Sequence, residues 1–264
     1  MADLKVSVAG VEFHNPLIAA SGTFGFGREY AEFYPLSALG GISSKGITLK
    51  ARPGNPAPRI AEAPGGMLNA VGLQNPGVDH FIEKDLPWLR EQGVTIIANI
   101  AGNTPEDYCA MAEKLNDTDI DMIEMNISCP NVKQGGVQFG TSCAGVEDIT
   151  KAVRAHCKKP LMVKLSPNVT DISEIALAAE SAGADAVSMI NTLTGMRIDI
   201  NTKRPIIHNT TGGFSGPALL PIAVRMVWQT YQKVKIPIVG LGGISTWQDA
   251  VEMLLAGATA LQIG

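Results

Sequence analysis

The feature that most constrains the fold of this sequence is a regular alternation of short apolar runs with helical stretches. After a hairpin-like start (LKVSVAG, then VEF), eight β-rich runs follow one another along the chain. Such an alternation is typical of parallel sheets whose strands are joined by crossover helices. The eight runs are NPLIAASG, GGISSKGIT, TIIANIAGN, MIEMNISCPN, PLMVKLSPN, AVSMINT, IPIVGLGG and ALQIG.

The segments between these runs include six predicted helices. Thr104-Pro105 is a predicted N-cap followed by a first-turn proline, and Gly183 is placed to end a helix. The six segments are FIEKDLPWLREQ, EDYCAMAEKL, VEDITKAVRAHC, ISEIALAAESAG, PALLPIAVRMVWQTYQKV and TWQDAVEMLLAG.

This order of elements predicts an α/β fold, a (β/α)₈ or TIM barrel. The competing doubly wound sheet requires GxGxxG directly after an early strand, whereas the early glycines read GTFGFG. The last predicted strand ends at Gly264, so the sequence given includes no final helix. We expect residues 1–264 to form a single barrel domain with a short N-terminal β-hairpin.

Composition narrows the class of function. Charged residues make up 17% of the chain and hydrophobic residues 45%, and the formal net charge is -4 with no basic run. These values argue against a nucleic-acid surface and favour a small-molecule enzyme or a protein-binding module. The chain has no membrane-spanning stretch, and its start, MADLKVSVAG, lacks the features of a signal peptide. We therefore expect a cytoplasmic protein.

The four cysteines do not form a metal-ligand pattern. Cys109, Cys129, Cys143 and Cys157 include no CxxC pair, so no zinc site or iron–sulfur cluster is predicted, and four free thiols are expected. Cys109 and Cys157 fit small apolar positions within helical patterns, while Cys143 lies in a predicted loop. Cys129 follows a strand in a polar loop, and its thiolate could act as a base, since an unperturbed thiol has a pKa of about 8.5.

Polar residues collect where the predicted strands end. In a barrel these carboxyl ends form the active-site face, and asparagine recurs there although it is also a common turn residue. An amide presents a donor and an acceptor together, which suits a planar ligand such as a pyrimidine or a flavin ring. The polar candidates are Ser21, Lys45, Asn99, Asn126, Asn131, Lys164, Asn191 and Thr192.

Glycines and lysines at the same face suggest a phosphate site and a buried positive charge. Gly242, Gly243 and Gly264 follow the last two strands, where barrels commonly bind phosphate, although Gly242-Gly243 could merely turn the chain. Lys164 lies within an apolar strand pattern. It could pair with Glu124 inside the barrel, or place a positive charge beside a ring that becomes anionic. Two long connections, 49–76 and 193–215, are expected to serve the site.

Six motifs together resemble the dihydroorotate dehydrogenase family, in family order and at family spacing. The similarity runs through the whole chain and is strongest to the catalytic subunit of the bacterial NAD-linked type. The motifs are GGMLNAVGLQNPG (65–77), NISCPN (126–131), VKLSPN (163–168), MINTLTGMR (189–197), TGGFSGPA (211–218) and GLGGI (240–244).

The resemblance implies an FMN-containing barrel that oxidises (S)-dihydroorotate to orotate in pyrimidine biosynthesis, with Cys129 as the base that takes the C5 proton. A hydride would pass from C6 to flavin N5, and Lys164 would lie near the N1–O2 edge of the ring. Substrate would be held by Lys45, Asn69, Ala70, Val71, Gly72, Leu73, Asn126, Asn131, Asn191 and Thr192. FMN would be held by Ser21, Lys45, Gly46, Asn99, Asn126, Lys164, Ile190, Gly216, Gly242, Gly243 and Gly264.

The resemblance also implies a partner and leaves alternatives. In NAD-linked relatives a second subunit carries FAD and an iron–sulfur cluster of the 2Fe–2S type, and two pairs of subunits form a heterotetramer. The alternatives are a homodimeric fumarate-using enzyme, a dihydropyrimidine dehydrogenase-like subunit, and a non-catalytic barrel that binds a phosphorylated ligand. Reoxidation by fumarate, a preference for uracil over orotate, or a colourless protein would favour each of these in turn.

Overall fold

The chain folds around a closed barrel of eight parallel strands, which confirms the predicted fold class. A computed structural model describes residues 3–128 and 139–264. The strands follow one another around the barrel in chain order, and β8 pairs with β1 to close it, with Leu261 opposite Leu17. They are β1 (Leu17–Ala19), β2 (Gly41–Ser43), β3 (Thr95–Ile100), β4 (Met122–Asn126), β5 (Leu161–Lys164), β6 (Ala186–Met189), β7 (Ile238–Leu241) and β8 (Ala260–Ile263).

All six predicted helical segments are helical, and they cover the outside of the barrel. Thr104 caps α2 as predicted, its side chain accepting from the Asp107 N–H, and Pro105 is the first helical residue. The helices are α1 (Leu86–Glu91), α2 (Pro105–Asn116), α3 (Cys143–His156), α4 (Ile172–Ser181), α5 (Leu220–Tyr231) and α6 (Trp247–Leu255). A short helix, Val78–His80, and a π-helical turn, Phe81–Asp85, precede α1.

The connection from β1 to β2 departs from the repeating strand–helix pattern. It contains two 3₁₀ turns, Tyr30–Glu32 and Leu36–Ala38, and no α-helix. The segment GTFGFG that begins this connection has glycines with positive φ at Gly25 and Gly27, a conformation that glycine adopts without the steric cost of a Cβ. The first crossover is therefore made by turns.

An N-terminal hairpin closes the amino end of the barrel. Its strands, Val6–Val8 and Val11–Phe13, pair antiparallel. The side chains of Val8 and Phe13 are buried in a cluster with apolar residues of the barrel strands, including Ile18, Ile97 and Met122. Burial of this size stabilises by roughly 2 kcal/mol per large apolar side chain. The hairpin thus excludes water from one end of the barrel and leaves the other end for ligands.

The two long connections come together as one antiparallel sheet. Its strands lie in the order Leu193–Gly195, Gly212–Ser215, Gly66–Asn69 and Ile60–Ala63, so each connection supplies two of them. A two-stranded ladder, Ile198–Asp199 with Arg204–Pro205, extends from the second connection. The sequence predicted long loops here, but the pairing joins segments that are far apart in the chain.

The three described cysteines are free thiols. Cys157 is buried directly after α3, and Cys109 is half-buried within α2. The loop predicted around Cys143 is wrong, because Ser142 caps α3 and Cys143 is its first residue, exposed to solvent. The loop prediction missed the serine cap, which begins the helix earlier than the apolar pattern does.

None of the helices in the described residues combines the length and apolarity needed to cross a membrane. Among the same residues, no cluster of three or more His, Cys, Asp or Glu side chains could hold a metal ion.

The start of α6 offers a test of how the loop after β7 is held. Thr246 Oγ1 accepts from the Asp249 N–H at 3.3 Å, and Asp249 Oδ2 accepts from the Thr246 N–H at 2.8 Å, a capping box. We expect Thr246→Ala to lower the free energy of unfolding by about 1 kcal/mol, because an orphan N–H loses its acceptor. Urea denaturation measures the change, with the exposed Thr202→Ala as control. Equal losses in both variants would contradict a capping role.

Candidate active site

The barrel interior is built in layers that follow from the two-residue period of its strands. Side chains two residues apart point to the same side of a strand. In β3, β4 and β5 an apolar interior residue is followed two positions later by a polar one: Ile97 by Asn99, Met122 by Glu124, and Met162 by Lys164. The interior therefore changes from apolar near the hairpin to polar toward the carboxyl ends of the strands.

At the centre of the polar layer lies the fully buried carboxylate of Glu124. Oε2 accepts from Ser43 Oγ and Asn99 Nδ2, both at 2.6 Å. Oε1 accepts from Ser188 Oγ and Gln262 Nε2, also at 2.6 Å. Burial alone would raise the pKa of Glu124, but the Lys164 charge and the hydrogen bonds from Ser188, Ser43 and Asn99 hold it below its usual value. Glu124 is therefore an anion in the barrel interior.

Lys164 reaches the same layer from β5. Its Nζ lies 3.0 Å from Gln262 Oε1, 3.4 Å from Ser21 Oγ and 3.9 Å from Glu124 Oε2. Burial lowers the pKa of Lys164, and the Glu124 carboxylate opposes that shift. The structure thus contains the Lys164–Glu124 pair that the sequence left as one alternative. At 3.9 Å the two charged groups are too far apart for a hydrogen bond, so Lys164 also remains available to a ligand.

Asn99 presents an unsatisfied acceptor. Its Nδ2 is bound to Glu124, while Oδ1 is buried and has no hydrogen-bond partner among the described residues. A Cβ placed on Gly46 would lie 3.1 Å from Asn99 Oδ1 and 3.1 Å from Leu73 Cδ2. The glycine therefore keeps a small space open beside this oxygen. Orphaned buried acceptors are rare in folded proteins, and this one indicates a missing donor.

Two asparagines that follow or end β4 and β6, on either side of β5, are joined by a hydrogen bond. Asn191 Nδ2 donates to Asn126 Oδ1 at 3.2 Å, and this oxygen also accepts from the Ser128 N–H at 3.2 Å. Asn168 donates to the Thr192 carbonyl at 3.0 Å, a supporting contact that the sequence analysis missed. The VKLSPN motif contained Asn168, but nothing in the spacing distinguished a ligand-binding amide from one that holds a neighbouring loop.

The loop predicted to hold substrate, Asn69–Leu73, is fixed mainly by backbone contacts. Arg59 accepts from the Ala70 N–H through its carbonyl, and Asn55 donates from Nδ2 to the Ala70 carbonyl at 2.9 Å. The Asn55 N–H also donates to the Val71 carbonyl. Ala70 and Val71 are therefore tied to residues 55–59, and their described backbone bonds do not join them to the other candidate residues.

Asn75 anchors the end of this loop and was missed by the sequence analysis. Its buried amide makes four hydrogen bonds: Oδ1 accepts from the N–H groups of Thr48 and Gly77, and Nδ2 donates to Thr48 Oγ1 and the Leu73 carbonyl. The distances run from 2.7 to 3.1 Å. Every polar group of the side chain is thus used to set the path of residues 73–77.

The charge of a second cation, Arg59, acts on Lys45. β2 ends at Ser43, so Lys45 follows the strand and does not lie within it, contrary to the strand pattern assumed from ISSKGIT. Burial lowers the pKa of Lys45, and the charge of Arg59 lowers it further. Among the described residues, no carboxylate forms an ion pair with Lys45 or Arg59; the ion pairs present join other side chains. Two unpaired cations in a chain of net charge -4 indicate a site for an anion.

The candidate glycines lie close to the start of α5. Gly216 and Gly243 have φ values of +130° and +79°, which residues other than glycine rarely adopt. A Cβ on Gly243 would lie 2.4 Å from the backbone nitrogen of Leu220, and one on Gly242 would lie 3.2 Å from Ile190. The glycines thus bring backbone against the N-terminal end of a helix, where N–H groups favour anions.

Cys129 and Asn131 lie in residues 129–138, outside the described residues. Gly264 follows β8, which pairs with β7, and the nearest contact of an added Cβ there would be Thr23. Among the other candidates, most end or directly follow barrel strands, and Asn69 lies in the sheet formed by the two long connections. Those at the strand ends are Ser21, Lys45, Gly46, Asn99, Asn126, Lys164, Ile190, Asn191, Thr192, Gly242 and Gly243.

A mainly apolar cavity of about 440 Å³ lies beside the antiparallel sheet of the two long connections, and none of the candidate site residues lines it. Leu68 pairs with Phe214, which pairs with Leu193, so the three side chains share one face, and Asn69 and Gly213 share the other. The cavity lining includes these three apolar residues together with Met196. The cavity is thus on the opposite face from Asn69, and we assign the chemistry to the polar barrel mouth.

The fold and the site are those of a (β/α)₈-barrel enzyme that binds a small molecule at the carboxyl ends of its strands, where cations and amides are buried. Comparison with known proteins specifies the family. A family profile described as dihydroorotate dehydrogenase matches residues 3–264. The chain belongs to the dihydroorotate dehydrogenase family, whose members are oxidoreductases.

Individual relatives are similar over nearly their whole length. A protein of Alkaliphilus metalliredigens is 58% identical over 262 residues, covering 99% of this chain and 87% of the relative. Proteins of Bacteroides thetaiotaomicron and Petrotoga mobilis are 57% and 54% identical, each over 100% of this chain and 88% of the relative. All three are named dihydroorotate dehydrogenase B (NAD(+)), catalytic subunit.

The four hydrogen bonds of Asn75 generate a stability prediction. We expect Asn75→Ala to lower the free energy of unfolding by about 3 kcal/mol, because two backbone donors and two acceptors lose their partners. Urea denaturation measures the loss, and the exposed Asn201→Ala is the matched control. If the two variants are equally stable, the Asn75 amide does not hold the loop.

Proposed function

We propose that this chain oxidises (S)-dihydroorotate to orotate with bound FMN, as the catalytic subunit of an NAD-linked enzyme of pyrimidine biosynthesis. The observation that carries the proposal is the convergence of cations and amides at one barrel mouth. Lys45, Asn126, Lys164 and Asn191 come from four different strand ends, and their chemistry matches a carboxylate, an imide and a flavin ring. The names of the relatives support the same reaction.

The described residues fit FMN. The orphaned Asn99 Oδ1 offers a buried acceptor beside the space that Gly46 leaves open. Lys164 offers a buried cation, and the glycines at the start of α5 offer backbone N–H groups to a phosphate. The proposed FMN-binding residues are Ser21, Lys45, Gly46, Asn99, Asn126, Lys164, Ile190, Gly216, Gly242, Gly243 and Gly264.

Bound FMN would supply the acceptor for the hydride that leaves C6 of dihydroorotate. The chain's own contribution is electrostatic: Lys164 places a positive charge in a site of low dielectric, where it stabilises negative charge more than it would in water. The Glu124 carboxylate keeps that lysine from being an uncompensated buried charge. Together they support a ring that gains electrons.

Substrate recognition in this proposal uses opposite charges and paired amides. Lys45, on which the charge of Arg59 also acts, binds the carboxylate of dihydroorotate. Asn126 and Asn191 bind the imide, since each amide offers a donor and an acceptor. The loop Asn69–Leu73, with Asn131 and Thr192, completes the binding site. An ordered arrangement of this kind lowers the barrier by holding C6 and C5 in a reactive position.

Cys129 is the proposed base. Oxidation removes two hydrogens from the substrate: the C6 hydrogen leaves as a hydride and the C5 hydrogen leaves as a proton, so a double bond forms between the two carbons. A thiolate can take that proton near neutral pH more readily than a hydroxyl group can. The assignment rests on the NISCPN motif and on the family.

The electrons leave through a partner in this proposal. The relatives' names combine NAD(+) with a catalytic subunit, which supports a second subunit that handles NAD. Family resemblance supports FAD and an iron–sulfur cluster on that subunit, an assembly of two subunits of each kind, and a cytoplasmic location. The names favour this type over the fumarate-using one.

Flavin reduction tests the function directly. We expect dihydroorotate to bleach the flavin of the anaerobic wild-type chain. We expect Cys129→Ala to slow bleaching at least about a hundredfold, because the base is lost while the phosphate site remains. Stopped-flow absorbance at the flavin band measures both. The exposed Cys143→Ala is the matched control and should bleach at the wild-type rate. A wild-type chain without flavin, or a normal rate in Cys129→Ala, would contradict the proposal.

The Lys45–Arg59 pair predicts the pH dependence of ligand binding. Lys45 binds an anion only while protonated, so orotate affinity falls as the pH rises through its lowered pKa. Removing the Arg59 charge raises the pKa of Lys45, so in Arg59→Gln this fall moves to higher pH, while affinity at neutral pH drops by roughly tenfold. Flavin absorbance titrations with orotate measure both effects, and the exposed Arg204→Gln is the control. If orotate affinity falls at the same pH in Arg59→Gln as in the wild-type chain, the two charges do not interact.

A further inference from the structure

We propose that Glu124 is a positioning residue whose buried carboxylate orients the Asn99 amide, so that Asn99 Oδ1 accepts a hydrogen bond from the flavin ring. The proposal rests on the proposed function, since it takes FMN as the ligand. It concerns a residue that lies one layer below the ligand and that acts through another side chain.

The chemistry of the carboxylate decides which way the amide faces. An ionised carboxylate accepts hydrogen bonds and cannot donate them. The amide atom of Asn99 that faces Glu124 Oε2 at 2.6 Å must therefore be the NH₂ group. The carbonyl oxygen then faces the other way, which is where the structure shows a buried acceptor without a partner.

The carboxylate of Glu124 determines the orientation of a second side-chain amide, that of Gln262, in the same way. Gln262 donates from Nε2 to Glu124 Oε1 at 2.6 Å and accepts through Oε1 from Lys164 Nζ at 3.0 Å. Reversing this amide would place two donors together at Lys164 and two acceptors together at Glu124. The carboxylate thus imposes one direction on the hydrogen bonds of the whole layer.

The free acceptor selects the kind of group that can lie above it. Asn99 Oδ1 is next to Gly46, where an added Cβ would come within 3.1 Å of it. A donor is needed, and an oxidised isoalloxazine ring has a single N–H, at N3. A buried acceptor that has no donor is unfavourable, so this bond accounts for part of the affinity for FMN.

With an amide in place of the Glu124 carboxylate, the orientation of the Asn99 amide would no longer be determined. Glutamine has the shape of glutamate but both donates and accepts, so in Glu124→Gln the Asn99 amide can turn either way. The serines Ser43 and Ser188 cannot replace the effect, because a hydroxyl also both donates and accepts. Only the ionised residue determines the orientation.

A double-mutant cycle on FMN binding tests the coupling. The deflavinated chain is titrated with FMN, and flavin fluorescence gives the Kd for wild type, Glu124→Gln, Asn99→Ala and the double variant. We expect Glu124→Gln and Asn99→Ala each to weaken binding roughly tenfold or more. In the Glu124→Gln background, Asn99→Ala should then cost less than about threefold. Equal costs of Asn99→Ala in both backgrounds would overturn the proposal.

A spectroscopic measurement separates orientation from general damage to the site. With ¹⁵N-labelled FMN, we expect the N3–H proton of the wild-type complex to exchange with water at least tenfold more slowly than in Glu124→Gln. Ser188→Ala is the matched control, because it removes one donor to Glu124 but leaves the charge and the Asn99 contact. It should keep the slow exchange. Equal exchange in wild type and Glu124→Gln would overturn the proposal.

The wild-type chain alone provides a test if Glu124→Gln does not fold. With ¹⁵N-labelled asparagine, the side-chain NH₂ signal of Asn99, identified by its loss in Asn99→Ala, should be protected from exchange both without and with FMN. Loss of that protection on FMN binding would mean that the amide turns, which overturns the proposal. A wild-type chain that binds no FMN would instead overturn the proposed function, and this inference would fall with it.

Discussion

The structure depends on one buried charge. A carboxylate inside a protein is costly unless donors surround it, and Glu124 is satisfied by four hydrogen bonds and a lysine 3.9 Å away. These groups come from β2, β3, β5, β6 and β8. Because each bond requires its strand to be in register, the charge specifies how the barrel closes and where its polar layer begins.

The site is a consequence of layering. The N-terminal hairpin and the apolar layer exclude water from one end of the barrel, so the charges above them act in a medium of low dielectric. The next layer orients amides and a lysine toward the open end. The antiparallel sheet from the two long connections then brings Asn69 over that end, with its Nδ2 3.4 Å from the Gly213 carbonyl. Rigid strands below and paired connections above hold the ligand-binding groups.

Particular residues show how far sequence reasoning reached. The eight strands, the six helices and the Thr104 cap followed from local patterns, because period and capping depend on neighbours in the chain. Arg59 and Asn75 were missed, since each acts through contacts made by the fold of a long connection. Cys143 was misplaced in a loop because the Ser142 cap lies before the apolar pattern. Glu124 was named only as a possible partner of Lys164, although the spacing Met122-x-Glu124 beside Ile97-x-Asn99 already signals a polar layer.

The amino-acid sequence by itself determined the class of fold, the order of strands and the residue types at their carboxyl ends, since periodicity and composition are local properties. The family motifs also lie in the sequence alone. The tertiary structure decided which way each buried amide faces, which cations lack a carboxylate, and which connections pair into a sheet. These features depend on groups that are distant in the chain, and they become definite only when the closed barrel brings those groups within hydrogen-bonding distance.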